Sequence, residues 1–344
     1  MRRLIVALFT PILFAACLAA SPDHDRNENG KRFSFALIGD LPYNDLQSKK
    51  LDRVIANIND DERVKFTIHV GDIKSGASLC DDATFAQRFA QLHQLEEALL
   101  YTPGDNEWSD CHYPAAGRFS PLERLAAIRK LFYPEPGFST GGRRIRVLTQ
   151  ARFSGFETFV ENSIWVRGGV LFATLHVVGS NNDLNPWSGI DPADSFETPR
   201  SDRIAEFQAR EAANLFWLEQ IFQTARSAKA AGVFLAIQAN PNFELPEQDQ
   251  RRAGFNSFLD KLTPLAVQSA KPVILAHGDA HYFRIDKPLL ASTASGERQT
   301  LENFTRLEVF GSPHAHWIRV SVDPNDANVF LIEQRIVPEN RFPR

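Results

Sequence analysis

The sequence predicts an α/β fold in which strands and helices form separate layers. Short runs rich in Val, Ile and Phe alternate along the chain with stretches whose apolar residues recur at helical spacing. Hydrophobic residues make up 43% of the 344 residues and charged residues 23%, which is typical of a folded protein. No repeat and no linker-like change of composition follows residue 31, so we expect one domain over residues 32–344.

The expected elements alternate in chain order. Strands are predicted at residues 32–39, 64–71, 99–103, 164–179, 233–238, 272–277, 307–310, 317–322 and 329–337. Helices are predicted at residues 46–58, 84–97, 121–132, 204–231 and 256–269. Residues 134–157 and 181–199 are predicted as long loops. The first loop carries four arginines, which could hold an anionic substrate, although we favour a solvated basic surface.

The first twenty residues have the pattern of a secretory signal peptide. Arg2 and Arg3 give a charged start, and residues 4–20 are apolar and end in small residues. A membrane anchor is the alternative, but this apolar stretch is short for a span of about 20 residues. We therefore expect export, followed by a polar tether at residues 21–31. Cleavage would change the formal charge from −4 to −6, because Arg2 and Arg3 leave with the leader.

The three cysteines indicate in which cell compartment the protein is expected. Phe14-Ala15-Ala16-Cys17 resembles a bacterial lipobox, in which the cysteine becomes the lipidated first residue. Ordinary cleavage near Ala19 or Ala20 is the alternative, so the exported protein is expected in the periplasm or lipid-anchored to the cell envelope. The other two cysteines, Cys80 and Cys111, are expected to form one disulfide rather than a pair of buried thiols.

Charge and motif content exclude several classes of function. The chain has 38 Lys and Arg against 42 Asp and Glu, which argues against a protein that coats nucleic acid duplexes. Neither a Walker-type phosphate loop nor a dinucleotide-binding fingerprint occurs, and CxxC is absent. Contact with a membrane is expected only through a lipid on Cys17.

Four Gly-Asp pairs stand at the carboxyl ends of predicted strands. Glycine allows a sharp turn and a close approach to a ligand, and the carboxylate then points into the crevice beyond the sheet. Four converging carboxylates repel one another unless a cation lies among them. The pattern therefore predicts a site for divalent metal, with His281 beside the last pair; the aspartates are Asp40, Asp72, Asp105 and Asp279.

This arrangement resembles the calcineurin-like metallophosphoesterase superfamily, whose motifs run D-x-H, G-D, G-N-H-[DE], a histidine after a strand, and G-H-x-H. The matching segments, which cover about residues 32–285, are Asp40-Leu41-Pro42, Gly71-Asp72, Gly104-Asp105-Asn106-Glu107, Gln238, and Gly278-Asp279-Ala280-His281. The resemblance implies a layered β-sandwich flanked by helices, a two-metal centre and hydrolysis of phosphoesters. It also assigns Asp72 as the carboxylate that both ions share.

The chain departs from the family pattern at five positions: Pro42, Asp105, Asn106, Gln238 and Asp279. Apart from Pro42, the changes replace imidazole or amide groups of the family with other polar side chains, mostly oxygen donors. The expected metal ligands are therefore Asp40, Asp72, Asp105, Gln238, Asp279 and His281. Such a set favours one or two Mn²⁺ or Mg²⁺ ions, admits Ca²⁺, and suits Zn²⁺ or Fe less well.

The expected function is metal-dependent hydrolysis of a small phosphomonoester or phosphodiester. His277 is the first candidate for the acid that protonates the leaving group, and Asn106 could supply a neutral hydrogen bond there. The alternative is a catalytically weak or inactive envelope protein that binds metal or phosphoesters on the same fold. A purely structural lipoprotein is the third possibility, if Cys17 is lipidated and the chain binds no metal.

Overall fold

Strands and helices alternate along residues 30–341, which are the residues that the computed structural model describes. The predicted leader, Cys17 and most of the tether lie outside them. The strands are β1 (Phe33–Ile38), β2 (Val64–His69), β3 (Ala98–Tyr101), β4 (Thr140–Gly141), β5 (Leu148–Thr149), β6 (Ser163–Arg167), β7 (Val170–Thr174), β8 (Val233–Ala236), β9 (Val273–His277), β10 (Arg284–Asp286), β11 (Leu290–Ser292), β12 (Arg298–Thr300), β13 (Phe304–Glu308), β14 (Trp317–Val322) and β15 (Phe330–Arg335). The α-helices are α1 (Asp45–Asn59), α2 (Asp82–Leu92), α3 (Pro121–Phe132), α4 (Ser201–Ser227) and α5 (Asn256–Ser269). A left-handed turn over Gly179–Asp183 lies between β7 and α4.

Two large mixed sheets form the centre of the molecule. The first has the order β15-β14-β1-β2-β3-β4, and the second has the order β10-β13-β9-β8-β7-β6-β5. Within the first sheet β1, β2 and β3 run parallel, while β14 runs antiparallel to β1. The strands β14 and β15, which come last in the chain, thus lie beside β1 in this sheet, with β14 paired to β1. A separate two-stranded ribbon is formed by β11 and β12.

The sheets pack face to face, and helices cover their outer faces. Alternation along β1 sends Phe35 into the layer between the sheets and Ile38 into the layer under α1, α2 and α3. Phe35 stacks on Phe66 of β2 with ring centroids 4.9 Å apart and meets Phe234 of β8 edge-on at the same distance. On the other side, α4 and α5 pack on the second sheet through a third apolar layer. The layered β-sandwich flanked by helices is therefore confirmed.

Most predicted elements are present with shifted ends, and one is wrong. The single strand expected over residues 164–179 is the hairpin β6–β7, because Gly168 and Gly169 form a tight turn with φ of 57° and 80°. Helix α2 ends at Leu92 rather than at residue 97. The helices α3 and α5 have the predicted bounds. In the part of the chain that the structure describes, no helix is both long and apolar enough to cross a bilayer.

The predicted disulfide between Cys80 and Cys111 is confirmed. The two Cα atoms are 5.7 Å apart and the bridge closes a sequence separation of 31 residues. Cys80 precedes α2, and Cys111 lies in the short 3₁₀ helix Ser109–His112. The bond thus ties the segment after β2 to the segment after β3.

Candidate metal centre

Four aspartates follow the carboxyl ends of four strands and meet at one edge of the sandwich. Because β1, β2 and β3 run parallel, Asp40, Asp72 and Asp105 come to the same end of the first sheet. Asp279 follows β9 of the second sheet, and its backbone N–H donates to Asp40 Oδ1 at 2.9 Å. The candidate site therefore lies where the carboxyl ends of strands from both sheets come together.

At Gly104 and Gly278, two of the glycines that precede the aspartates, there is no room for a side chain. A Cβ atom on Gly104 would lie 2.0 Å from Asp72 Oδ1, and one on Gly278 would lie 2.1 Å from Asp40 Oδ2. Contacts this short do not occur in proteins, so a side chain at either position would displace a carboxylate. The Gly-Asp pattern in the sequence thus reflects how closely the loops approach one another.

The ligand atoms form two overlapping groups. One atom each from Asp40, Asp72 and His281 lie within 4.8 Å of one another, and the same holds for Asp72, Asp105 and Asp279. Asp72 belongs to both groups. A carboxylate at the junction of two three-residue groups is the arrangement in which one side chain can serve two neighbouring ions.

Burial raises the pKa of all four carboxyls. The pKa values of Asp40 and Asp72 lie well above their usual value, mainly because both groups are desolvated and neighbouring carboxylates add repulsion. Burial likewise raises the pKa of Asp105 to about 7 and that of Asp279 to about 6. Asp40 Oδ2 and Asp105 Oδ1 are buried and accept no hydrogen bond from residues 30–341. Crowded carboxylates with free lone pairs fit one or two divalent cations.

Four of the predicted ligands have a backbone conformation that residues other than glycine rarely adopt. The φ angle is 54° at Asp40, 58° at Asp72, 75° at Asp279 and 58° at His281. Hydrogen bonds hold the first of these, since Asp40 N donates to the Gly71 carbonyl at 3.0 Å. Left-handed backbone of this kind costs free energy and is concentrated at functional sites.

Comparison with known structures agrees with this architecture. The structure is similar to that of purple acid phosphatase PPD1 from yellow lupin (Lupinus luteus) seeds, with a TM-score of 0.51 and 11% identity. The match covers 91% of this chain and 53% of that one, so this chain spans about half the length of the lupin protein. The chain has a calcineurin-like metallophosphoesterase fold.

Two further structures are similar at lower TM-scores. Phosphopantetheinyl hydrolase (PptH) from Mycobacterium tuberculosis has a TM-score of 0.46 and 14% identity, over 83% of this chain and 92% of that one. GAP50, the anchor in the inner membrane complex of Plasmodium, has a TM-score of 0.43 and 10% identity, over 89% of both chains. No protein-family model matches the sequence, and neither does any curated protein sequence.

On this metallophosphoesterase fold, Asn106 contacts the shared carboxylate. Its Nδ2 donates to Asp72 Oδ2 at 2.7 Å, and its backbone N–H donates to Asp72 Oδ1 at 3.3 Å. Asn106 Nδ2 also donates to the hydroxyl of Tyr43 at 3.0 Å. The role of Asn106 at a leaving group stays a prediction, and the contact that the structure shows is with both carboxylate oxygens of Asp72.

Tyr43 is a site residue that the sequence analysis missed. Its hydroxyl donates to Asp72 Oδ2 at 3.0 Å and lies 3.0 Å from His281 Nε2. Burial and the nearby carboxylates raise its pKa well above the usual value, so the phenol is neutral. The signal that could have found it is its position three residues after Asp40, in the loop that follows β1.

Gln238, another predicted ligand, contacts Asp279 through its side-chain amide. Its Oε1 accepts the N–H of Gly179 at 2.6 Å, and its Nε2 donates to Asp279 Oδ1 at 3.4 Å. The side chain is fully buried. The side-chain oxygen of Gln238 already accepts a hydrogen bond, and its amide nitrogen faces Asp279. In this conformation Gln238 therefore orients the predicted ligand Asp279.

Glu107 connects the loops that carry Asp72 and Asp105. Its Oε1 accepts hydrogen bonds from Gly104 N at 2.7 Å, Asp72 N at 3.1 Å and the Tyr101 hydroxyl at 2.5 Å. Three donors from two strands and their loops therefore converge on one buried oxygen. This arrangement fixes the two loops relative to each other.

His277, the first candidate for the leaving-group acid, is fully buried. Its Nδ1 lies 2.8 Å from the carbonyl oxygen of Gly278. Burial lowers its pKa to about 3, so the imidazole is neutral at neutral pH and holds no acidic proton to give. The structure therefore gives no support to His277 as the leaving-group acid.

The arginine-rich loop is held by surface ion pairs. Arg143 pairs with Glu97 at 2.8 Å, and Arg144 pairs with Glu135 at 2.9 Å. These contacts are consistent with a solvated basic surface. A separate open cleft of about 770 Å³ lies near Arg32, at the amino end of β1 and away from the carboxyl ends that carry the aspartates.

Proposed function

We propose that the chain is an exported, metal-dependent phosphoesterase that hydrolyses a small phosphomonoester or phosphodiester. The observation that carries the proposal is the pair of ligand groups joined by Asp72. Carboxylates with one imidazole favour Mn²⁺ or Mg²⁺, with Ca²⁺ next and Zn²⁺ or Fe less suited. The fold shared with a purple acid phosphatase supports the class of reaction.

Each residue of the site has a separate task in this proposal. Asp40 and His281 would complete one ligand set with Asp72, and Asp105 and Asp279 the other. When bound, divalent ions supply Lewis-acid stabilisation of the charge on a phosphoryl group. The chain itself contributes a fixed geometry, because Asn106 holds Asp72, Gln238 orients Asp279 and Glu107 joins the two loops.

The donors beside Asp72 that could serve a leaving group are weak acids. The amide of Asn106 and the hydroxyl of Tyr43 lie beside Asp72, and the imidazole of His277 is enclosed and uncharged. A positioned general acid accelerates a reaction by about 10² to 10⁴-fold, and neither an amide nor a phenol whose pKa lies well above its usual value supplies that contribution in full. We therefore propose that substrates with good leaving groups react best.

Export is part of the same proposal. The signal-peptide pattern of residues 1–20 and the disulfide between Cys80 and Cys111 support an oxidising compartment. The periplasm and a lipid anchor on Cys17 are the two proposed locations. The proposed partner is a small phosphorylated molecule, with no role for specific binding of nucleic acid.

The test is metal content measured together with hydrolysis. The purified exported protein would be analysed by elemental mass spectrometry and assayed on an aryl phosphomonoester and a bis-aryl phosphodiester with Mn²⁺, Mg²⁺, Ca²⁺ or Zn²⁺. We expect about one or two bound ions and turnover that requires Mn²⁺ or Mg²⁺. Metal without turnover would favour the non-catalytic binding protein. A chain that binds no metal under any of these conditions would contradict the proposal.

A further inference from the structure

One short segment supplies a ligand to each of the two groups at the candidate metal centre. Within residues 279–286, which follow β9 and include β10, Asp279 belongs to one group and His281 to the other. Both residues have a left-handed backbone, with φ of 75° and 58°. Such a conformation persists only where the surrounding structure holds it. The contacts that hold this segment therefore set the position of one ligand in each group.

Glu308, at the end of the neighbouring strand β13, contacts this segment twice. Its side chain is fully buried. Its Oε1 accepts the backbone N–H of Tyr282, the residue directly after His281, at 3.4 Å. Its Oε2 accepts two hydrogen bonds from Arg284, from Nε at 3.2 Å and from Nη2 at 2.7 Å. Arg284 is the residue of β10 that pairs directly with Glu308 on β13. One carboxylate thus fastens the chain on the side of His281 that leads into β10.

An ion-pair network continues from Arg284 to the loop after β8. In that loop, Glu244 Oε1 accepts a hydrogen bond from Arg284 Nη1 at 2.9 Å and another from Arg306 Nη2 at 2.6 Å. Arg306, on β13, also donates through Nε to Asp286 Oδ1 at 2.7 Å. The network thus holds both ends of β10 against β13 and against the loop after β8.

Net stability is a weak reason to bury such a network. Glu308 is fully buried and Arg306 is 1% exposed. Removing charges from water costs about as much free energy as their attraction returns, so a buried ion pair contributes little net stability. The planar guanidinium group does, however, fix local geometry, because its donors point in set directions. The network lies beside a segment with two predicted ligands, where fixed geometry matters most.

We propose that Glu308 and Arg284 are positioning residues, which hold residues 279–286 in the conformation that binds divalent ions. This inference rests on the proposed function, because it assumes that the candidate metal centre binds such ions.

The effect of position can be separated from the effect of charge, because Glu308 and Arg284 carry opposite charges. If the pair acted only through charge, loss of Glu308 would weaken the binding of a cation and loss of Arg284 would strengthen it. If the pair holds the segment, loss of either residue weakens binding. The sign of the change in Arg284 variants therefore distinguishes the two effects.

The test compares Glu308→Gln with Arg284→Gln. Mn²⁺ affinity would be measured by titration calorimetry, and hydrogen exchange of residues 279–286 would be measured in EDTA by mass spectrometry. We expect each variant to bind Mn²⁺ more weakly by about 10 to 100-fold and to exchange faster than the parent in this segment.

The matched controls are Glu333→Gln and Arg319→Gln. These two residues also form an ion pair across two antiparallel strands at the edge of a sheet, with 2.6 Å between Nη2 and Oε1. They belong to neither ligand group. Both controls should keep the Mn²⁺ affinity of the parent and its hydrogen exchange in residues 279–286.

Tighter or unchanged Mn²⁺ binding in Arg284→Gln would overturn the proposal, and so would an equal loss of affinity in the controls. If Glu308→Gln does not fold, Arg284→Gln alone decides, because its side chain is partly exposed and the expected loss is the same. A parent protein that binds no Mn²⁺ would refute the proposed function. Unchanged hydrogen exchange of residues 279–286 in both variants would instead refute the positioning role, whether or not the parent binds Mn²⁺.

Discussion

Asn106 contacts both oxygens of Asp72, through its side-chain amide to Oδ2 at 2.7 Å and its backbone N–H to Oδ1 at 3.3 Å. One residue thus fixes the carboxylate that the two ligand groups have in common. The residue also stands where the related motif has a histidine. In this chain Asn106 orients the predicted ligand Asp72, and at this position it can offer a leaving group only a neutral amide.

Asp72→Asn should abolish metal binding and turnover together. The change removes the charge that both ligand groups share while keeping the shape of the side chain. Because bound ions contribute several kcal/mol to the reaction, we expect activity to fall by about a thousandfold or more. Metal content by elemental mass spectrometry and kcat/KM on an aryl phosphate measure the two effects.

The matched control for this variant is Asp260→Asn. Asp260 is exposed on α5 and belongs to neither ligand group. The Asp260→Asn variant should leave metal content and activity unchanged.

In EDTA, Asp72→Asn should have a higher melting temperature than the parent, because it removes one of several buried carboxylates that repel one another. If Asp72→Asn still hydrolyses the substrate, the assignment of Asp72 as the shared metal ligand is wrong.

The stabilisation given by Mn²⁺ should increase with pH. Burial raises the pKa of Asp105 to about 7 and of Asp279 to about 6, so the folded metal-free protein binds protons that the unfolded chain releases. The free energy of unfolding from these groups is therefore greatest below their unfolded pKa and is lost as the pH rises through the folded pKa. Ions bind the deprotonated carboxylates, so protons compete with them at low pH.

The measurement is the difference in melting temperature between Mn²⁺ and EDTA at pH 5 and pH 8. Buried His69 and His277, whose pKa values fall to about 3, act in the opposite direction, but they contribute equally in both solutions. We expect the Mn²⁺ effect to grow by on the order of 2 kcal/mol, or about 5 °C, over this range. An equal Mn²⁺ effect at both pH values would contradict the assignment of these aspartates.

Glu107→Ala should weaken both metal binding and stability. Its Oε1 accepts hydrogen bonds from Gly104 N, Asp72 N and the Tyr101 hydroxyl, and the variant leaves these buried donors without that acceptor. We expect a loss of about 3 kcal/mol in the free energy of unfolding and about 10 to 100-fold in metal affinity. Denaturant unfolding and calorimetry measure the two effects.

Glu97→Ala provides the control for Glu107→Ala. Glu97 forms a surface ion pair with Arg143 at 2.8 Å, and the arginine is largely exposed. Its loss should change the free energy of unfolding by less than about 1 kcal/mol. Equal effects of the two variants would show that Glu107 does not hold the loops.

The four aspartates and His281 were predictable because their signal is local. Each aspartate directly follows a buried strand and a glycine, and the carboxyl ends of parallel strands meet at one edge of a sheet. The contacts of Tyr43 were not predictable in the same way. Its hydroxyl meets Asp72 across 29 residues and His281 across 238, so they depend on how distant loops come together.

The same distinction applies to the fold. The strands β1 and β9 were visible from their apolar composition and α3 from its helical periodicity, whereas the exposed short strands β11 and β12 carry no comparable pattern. The turn at Gly168 and Gly169 did have a local signal, since two glycines between apolar runs favour a hairpin. The pairing of β14 beside β1 follows from tertiary packing and has no local signal.

Removing the disulfide should loosen the metal centre as well as destabilise the fold. Cys80 and Cys111 join the segments that follow Asp72 and Asp105, and the bridge closes a loop with a separation of 31 residues. In the chain-entropy treatment such a loop contributes about 4 kcal/mol to the free energy of unfolding. The Cys80→Ala, Cys111→Ala double variant should show this loss in urea and release Mn²⁺ faster than the parent. Unchanged metal release would confine the bond to a role in stability.

Hydrolysis should depend steeply on the leaving group. Asn106 and Tyr43 offer only weakly acidic donors, because burial raises the pKa of the Tyr43 hydroxyl well above its usual value, and the imidazole of buried His277 is neutral at neutral pH. In a series of aryl phosphates, kcat should therefore fall by about tenfold or more for each increase of a few pKa units in the phenol leaving group. Alkyl phosphates should react more slowly by a further factor of about 10² to 10⁴. His277→Gln should leave this dependence unchanged, because the side chain is fully buried and its imidazole is uncharged at neutral pH. A flat dependence that becomes steep only in His277→Gln would show that this histidine is the acid after all.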